Sequence, residues 1–392
     1  MQRSLILLII ALGVPSFAQA EPTTPSNFIE AIEGPQKGGG GELSSLTLPE
    51  VMDELRVPGM SLAVIRNFEI DWAKGYGIAD LESRAKVDTE TLFQAASISK
   101  PVTAMAVLKA VEDGVFSLDT DINDVLTSWH LAESEFTATQ PVTPRSLTSN
   151  TSGLGDGFGF PGYHPDDSLP TTVQILDGQS PSNVGPVFME RAPFVAMKYS
   201  GGGVMIMALA LVDAKGMPFV EVIKKYVLDP VGMSESTFEQ PLSAARDDNA
   251  ARAHNENGEP MDAKWHVYPE LAAAGLWTTP TDLAKFAIEV QKSALGRSNR
   301  VLSRQGVQEM LNPVGVGEFA VGFSIVKLGE GWYFEHGGSN WGFRALLRAH
   351  KLKGYGLIVM TNAGRGNELI EEVARRVAAA YSWDALDEPI ER

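Results

Sequence analysis

Cysteine is absent from the 392 residues, and its absence excludes disulfides, thiol nucleophiles, thiolate metal sites and a lipid-modified N-terminal cysteine. Stability therefore rests on packing. Positive charge is in short supply: 32 lysines and arginines stand against 49 aspartates and glutamates, a formal charge of −17. Nucleic acid and anionic lipid need basic patches, so neither is an expected partner. The acidic excess reads as a solvated surface. Histidine is scarce, and the six present show no pair spaced for a helical zinc site, so no metal and no other cofactor is expected. Long apolar runs are missing after the first 20 residues. The best, "GGGVMIMALALV" from Gly201, has the length of a buried helix.

What is present begins with Arg3, the apolar run "LILLIIALGV" and Ala18-Gln19-Ala20, which match a secretory signal peptide cleaved after Ala20. A periplasmic or secreted protein is expected, with no integral membrane segment after processing. Residues 21–45, rich in glycine, proline and serine, read as a flexible leader. The length allows two packed lobes. The expected fold is α/β (α+β): an antiparallel sheet flanked by helices, built from both chain ends, with an inserted all-helical lobe. The sheet part falls at about 46–120 and 286–383, the lobe at about 121–285, and a tail at 384–392.

The grounds for that division are local. "GMSLAVI" and "IDWAKGYGIA" flank a polar tip at Arg66 to Glu69 and read as a strand pair. Ala104, Val107, Leu108 and Val111 recur at helical spacing, with Gly114 closing the segment. That helix is apolar on nearly every side, which predicts a central, buried position. "TTPTDLAKF" is a helix start, with Thr279 as cap and Pro280 in the first turn. From Phe319 four strand-like runs follow, then a last helix carrying Ile370, Val373, Ala374 and Val377. "GFGFPG", Gly157 to Gly162, fits a dinucleotide-loop pattern but follows no strand and holds a proline where a helix should begin, so it reads as loop.

Two Ser-x-x-Lys pairs occur. Ser83–Lys86 lies in the polar stretch "DLESRAKVDTE" with no apolar periodicity after it; Ser97–Lys100 opens the buried helix. Residues three apart on a helix share a face, so Lys100 can place its amine near the Ser97 hydroxyl. A serine is a weak nucleophile until a neighbour takes its proton. Lysine, near ~10.4 in water, does so only where burial or positive charge lowers that value. Taken alone, Ser97 as a helix cap and Lys100 as a snorkelling cation account for the pair. Two more stretches change the balance: "MKYSGGG", which puts Tyr199 at a helix mouth as a possible proton relay, and "YFEHGGSNWGF", where the NH of Ser339 is a candidate second oxyanion donor beside Ser97.

Ser-x-x-Lys, Tyr-Ser-Gly and His-Gly-Gly in this order resemble the class C β-lactamases, serine D-alanyl-D-alanine carboxypeptidases and related family VIII-type esterases. The resemblance runs from about Leu46 to Trp383 and includes "LTSNTSGL", "VLDPVGMSESTF" and "AAAGLWTTPTDLAKF". It implies Ser97 as acylated nucleophile, Lys100 as its base partner and Tyr199 as proton relay, with His336, Gly338 and Ser339 binding substrate or oxyanion. The sequence departs from the family pattern twice. Gly201 stands where Tyr-x-Asn has an amide, and His336-Gly337 replaces the lysine and threonine of Lys-Thr-Gly. Both weaken the grip on a substrate carboxylate. The implied activity is hydrolysis of an ester, or of an amide or peptide of a D-amino acid, through an acyl-enzyme. The alternatives are a class C-like β-lactamase and a non-catalytic penicillin- or peptidoglycan-binding sensor. Retention of Ser97, Lys100 and Tyr199 together favours an enzyme.

Overall fold

The structure is a computed structural model that describes residues 24–36, 41–155 and 159–384. The expected signal peptide, the tail after Asp384, and Gly157 and Phe158 of "GFGFPG" lie outside the described residues. The strands are β1 (Gly59–Arg66), β2 (Glu69–Asp80), β3 (Ala85–Lys86), β4 (Phe93–Ala96), β5 (Leu276–Thr278), β6 (Ser324–Leu328), β7 (Gly331–Asn340), β8 (Phe343–His350) and β9 (Gly356–Thr361). Seven of them form one antiparallel sheet in the order β3-β2-β1-β9-β8-β7-β6. The β1–β9 pairing, from Met60 opposite Thr361 to Ile65 opposite Gly356, closes the two chain ends into that sheet.

Both faces of the sheet are covered, and the sequence shows it as unbroken apolar runs in β1 and β9. Leu62, Val64, Leu357 and Val359 point to one side, where they pack with Leu48, Val51, Leu369 and Val373. Ala63, Ile65, Ile358 and Met360 point to the other, into a larger core shared with the inserted helices. On the first side lie the helices Leu48–Glu54 and Gly366–Ala380. On the second lie Pro280–Ala294 and, beyond it, Ser99–Glu112 and Gly201–Lys215. Among the described residues no single helix is long and apolar enough to cross a membrane.

Three expectations need correction. The inserted part is not all helical: β5 lies within it and pairs with β4 as a separate two-stranded ribbon. The boundary expected near 285 cuts the helix Pro280–Ala294, which packs on β1, β2 and β9, so the sheet part resumes at the Thr279 cap. The stretch read as a flexible leader contains the helix Pro25–Glu33. Its Phe28 ring stacks on Tyr381 at 3.9 Å. Arg376, fully buried, donates to the carbonyls of Ile32, Gly34, Leu43 and Leu46 and to Glu372. Composition alone reads as linker, and the partner that orders it is at the far end of the chain.

Candidate active site

β4 ends in a sharp elbow. Ala96 has φ +50, in the left-handed region that a non-glycine residue occupies only under constraint. Here the constraint is visible: Ser99 Oγ donates to Ala96 O at 2.6 Å and accepts from Leu276 N at 3.0 Å, and the NH of Lys100 donates to Ser97 O at 3.0 Å. Ser97 therefore stands two residues ahead of the helix Ser99–Glu112, in the turn that feeds it. From Ser99 to Ala110 that helix is buried except at Lys109, as its apolar sequence predicts, and Gly114 follows at φ +72.

Lys100 is 5% exposed. Its Nζ donates to Ser97 Oγ at 3.0 Å and to Ala273 O at 2.8 Å, and lies 4.9 Å from the centre of the Tyr199 ring. Among the described residues no carboxylate pairs with it. Tyr199 immediately precedes the cap of Gly201–Lys215, where Ser200 Oγ accepts from Gly203 N at 2.8 Å. Asn150 fixes that approach: its Oδ1 accepts from Ser200 N at 3.1 Å and its backbone O from Lys198 N at 2.8 Å.

The third segment runs along β7. β6 stops pairing at Ser324 opposite Glu335, so from His336 to Asn340 the strand has β8 on one side only. β4 crosses the face of the sheet over β7 and β8. A Cβ on Gly338 would sit 2.2 Å from Ala95 O, which is why a glycine is required there. Asn340 ties the pieces together, donating to Gln94 Oε1 at 2.8 Å and to Ala274 O at 3.1 Å.

All six residues singled out from the sequence, Ser97, Lys100, Tyr199, His336, Gly338 and Ser339, line one cavity of about 530 Å³. The decoy pair does not. Ser83 and Lys86 are exposed at the β3 edge. The sequence reading missed Phe160 and Phe319, which also line the cavity, and Ala273, whose carbonyl holds the lysine. Phe160 lies in the stretch set aside as loop. A backbone carbonyl leaves no mark in a motif.

His336 is buried, and its Nδ1 lies 2.7 Å from Gly337 O. A carbonyl only accepts, so the proton sits on Nδ1 and Nε2 offers a lone pair. Nε2 is buried with no hydrogen-bond partner among the described residues. Burial, with the nearby Lys100 charge, pushes the His336 pKa down to about 3. The ring is therefore neutral at ordinary pH and contributes no cation. Gly201 is the second departure. A Cβ there would meet Phe160 Cε2 at 2.5 Å, so the ring of Phe160 occupies the space that an amide side chain would need.

Comparison with known proteins bears on this arrangement directly. The β-lactamase family model matches residues 47–382. The chain belongs to the β-lactamase family. It is thus a serine hydrolase by family, and the resemblance read from its three motifs holds. Penicillin-binding protein 4 of Amycolatopsis lactamdurans is 25% identical over 338 residues, which is 83% of this chain and 86% of that one. Two solved structures share the fold. The D-amino acid amidase of Ochrobactrum anthropi SV3 has a TM-score of 0.69 at 22% identity, covering 91% of this chain and 99% of its own. The D-alanine carboxypeptidase AmpC of Burkholderia cenocepacia has a TM-score of 0.67 at 16% identity, with the same coverage.

Proposed function

We propose that this protein is an exported hydrolase that acylates Ser97 with a neutral ester, or with the amide of a D-amino acid, and releases the acid to water. The observation that carries the reading is the 3.0 Å hydrogen bond between Lys100 Nζ and Ser97 Oγ at the floor of the cavity. With the amine neutral, Ser97 Oγ adds to the substrate carbonyl carbon as its proton passes to Lys100 Nζ. The backbone NH groups of Ser97 and Ser339 receive the oxyanion. Collapse expels the alkoxide or amine, which takes the proton by way of Tyr199, and water repeats the sequence on the acyl-enzyme. Every bond broken is matched by one formed, and no further reactant is needed. Export rests on Arg3, the apolar run after it and Ala18-Gln19-Ala20.

Preference for substrates without a carboxylate follows from the two departures. A β-lactam or peptide carboxylate gains most from a fixed cation and an amide donor. His336 supplies a lone pair instead, and Phe160 covers Gly201. Purified protein assayed against nitrophenyl esters, D-amino acid amides, D-alanyl peptides and a chromogenic cephalosporin should give higher kcat/KM for the first two groups. Mass spectrometry should place the acyl group on Ser97. A cephalosporin turned over faster than every ester and amide, or an adduct elsewhere, would refute the proposal.

A further inference from the structure

A second cavity, of about 280 Å³, lies beside the catalytic one, and the two share Gly159 and Phe160 as wall residues. Among the described residues its lining is apolar: Ile175, Val184, Pro186, Val187 and Phe188 join the glycines at 155, 185 and 202, with no ionisable side chain. A charged or strongly polar group would lose its hydration there with nothing in return. At that size it falls below the range of about 300–1,000 Å³ usual for a complete ligand site. It suits one limb of a molecule held elsewhere. Gly202 is on its wall and the adjoining Gly201 faces Phe160 Cε2, so the helix start that follows Tyr199 forms the threshold between the cavities. At the rim Phe188 is 52% exposed, a large apolar ring left in solvent, and a Cβ on Gly155 would lie 2.5 Å from it.

We propose that this annex behind Phe160 takes the apolar chain of the substrate bound at Ser97, so that the enzyme selects esters or amides with an extended hydrocarbon limb. Phe160 is then the specificity-determining residue. Its ring takes the place of a polar side chain at position 201 and presents an apolar edge to both cavities. The proposal rests on acylation of Ser97, and the test separates the two.

Binding of n-alkylboronic acids, methyl through hexyl, is measured by calorimetry, with the covalent adduct on Ser97 checked by boron NMR. This readout needs no turnover. In the wild type Kd should fall about fourfold for each methylene buried. Val187→Trp, which fills the annex, should flatten that dependence, and Val184→Phe serves if the tryptophan variant melts early. A flat series in the wild type with adducts formed overturns the annex and leaves the hydrolase standing. An equally steep series in wild type and filled variants places the chain in the catalytic cavity itself and also overturns it. No adduct with any boronate removes both readings.

Discussion

The chain contains the same four-residue spacing twice, and the two copies differ in everything that gives a lysine something to do. Ser83 stands on the exposed turn that leads into β3, the outermost strand of the sheet, and Lys86 is exposed at the end of that strand. Arg84 between them has φ +61, so the backbone is not helical and the two side chains do not share a face. Ser97 stands in the turn after β4 and Lys100 in the first turn of the buried helix Ser99–Glu112, and the amine reaches the hydroxyl at 3.0 Å. A short motif is thus a statement about geometry only where the surrounding sequence forces a helix. The apolar repeat after Lys100 does so, and the polar residues after Lys86 do not.

The largest expected effect breaks one copy and spares the other. Ser97→Ala should cut ester turnover by on the order of 10³-fold or more, and Lys100→Met or Lys100→Arg by about 10²- to 10⁴-fold. Arginine retains the charge but does not deprotonate in this range, so its failure isolates proton transfer from electrostatics. Ser83→Ala and Lys86→Met should match the wild type in kcat/KM and in melting temperature. If Lys100→Arg retained near-normal turnover, the proton would have to leave Ser97 by way of Tyr199.

The second contrast is in what burial does to ionisable groups around the catalytic copy. His336 has its pKa lowered from 6.5 to about 3 by burial and by the Lys100 charge. The folded state thus prefers the neutral ring: its contribution is complete above pH 6.5 and is lost as pH falls toward 3, on the order of 5 kcal/mol at the acid end. Glu270 opens the short helix Leu271–Ala274 that offers Ala273 O to Lys100. Burial pushes its pKa up to about 7 from 4.5, and no other residue among those described hydrogen-bonds to either carboxylate oxygen. Here the sign reverses: the folded state prefers the protonated acid, so stability is full below pH 4.5 and declines as pH rises through 7, by roughly 3 kcal/mol. Melting curves at pH 4, 6 and 8 should show His336→Gln losing less stability than wild type on acidification and Glu270→Gln losing less on alkalinisation. Parallel pH profiles for wild type and variant would contradict the assignment for that residue.

A smaller effect separates neighbouring glycines on β7. A Cβ on Gly338 meets Ala95 O at 2.2 Å, and that oxygen belongs to the strand that ends at Ser97. Gly338→Ala must push β4 and β7 apart, at a cost of about 1–3 kcal/mol and a comparable loss of turnover as the elbow shifts. On Gly337 the nearest atom is Ala345 O at 3.9 Å, ordinary contact, so Gly337→Ala should be close to wild type in stability. Equal destabilisation of the two would mean that the β4–β7 approach does not hold the site.

Much of this was legible in the sequence for identifiable reasons. The β1–β2 strand pair, the helix after Ser97 and the last helix are strongly patterned elements, and each lies where its periodicity put it. The three motifs are each short and local, and the fold brings their six residues to one cavity. What stayed hidden depends on residues far apart in the chain. The helix Pro25–Glu33 is held by Arg376 and Tyr381. Lys100 is anchored by Ala273 O, a backbone atom on another element. The ring that replaces the family's amide comes from Phe160, inside a glycine-rich stretch whose composition says only loop. No window of sequence contains both members of any of these pairs.

The smallest effect concerns two left-handed residues, one inside the first copy and one immediately before the second. Arg84 at φ +61 is exposed and has no hydrogen bond or ion pair among the described residues, so nothing but the turn holds it there. Glycine adopts that conformation freely, at some cost in unfolded-chain entropy. Arg84→Gly should therefore stabilise by a few tenths to about 1 kcal/mol and leave turnover alone. Ala96 at φ +50 offers the same relief of strain, yet its carbonyl accepts from Ser99 Oγ and its methyl is fully buried. Ala96→Gly frees the one joint that aims Ser97, so ester turnover should fall severalfold even where the melting temperature does not. Loss of turnover in Ala96→Gly with none in Arg84→Gly would show that the same local strain is used at one copy and merely tolerated at the other. Should Ala96→Gly turn over esters at the wild-type rate, the elbow would be held by the Ser99 hydrogen bonds alone, and the left-handed residue would count for no more in the site than it does at the sheet's edge.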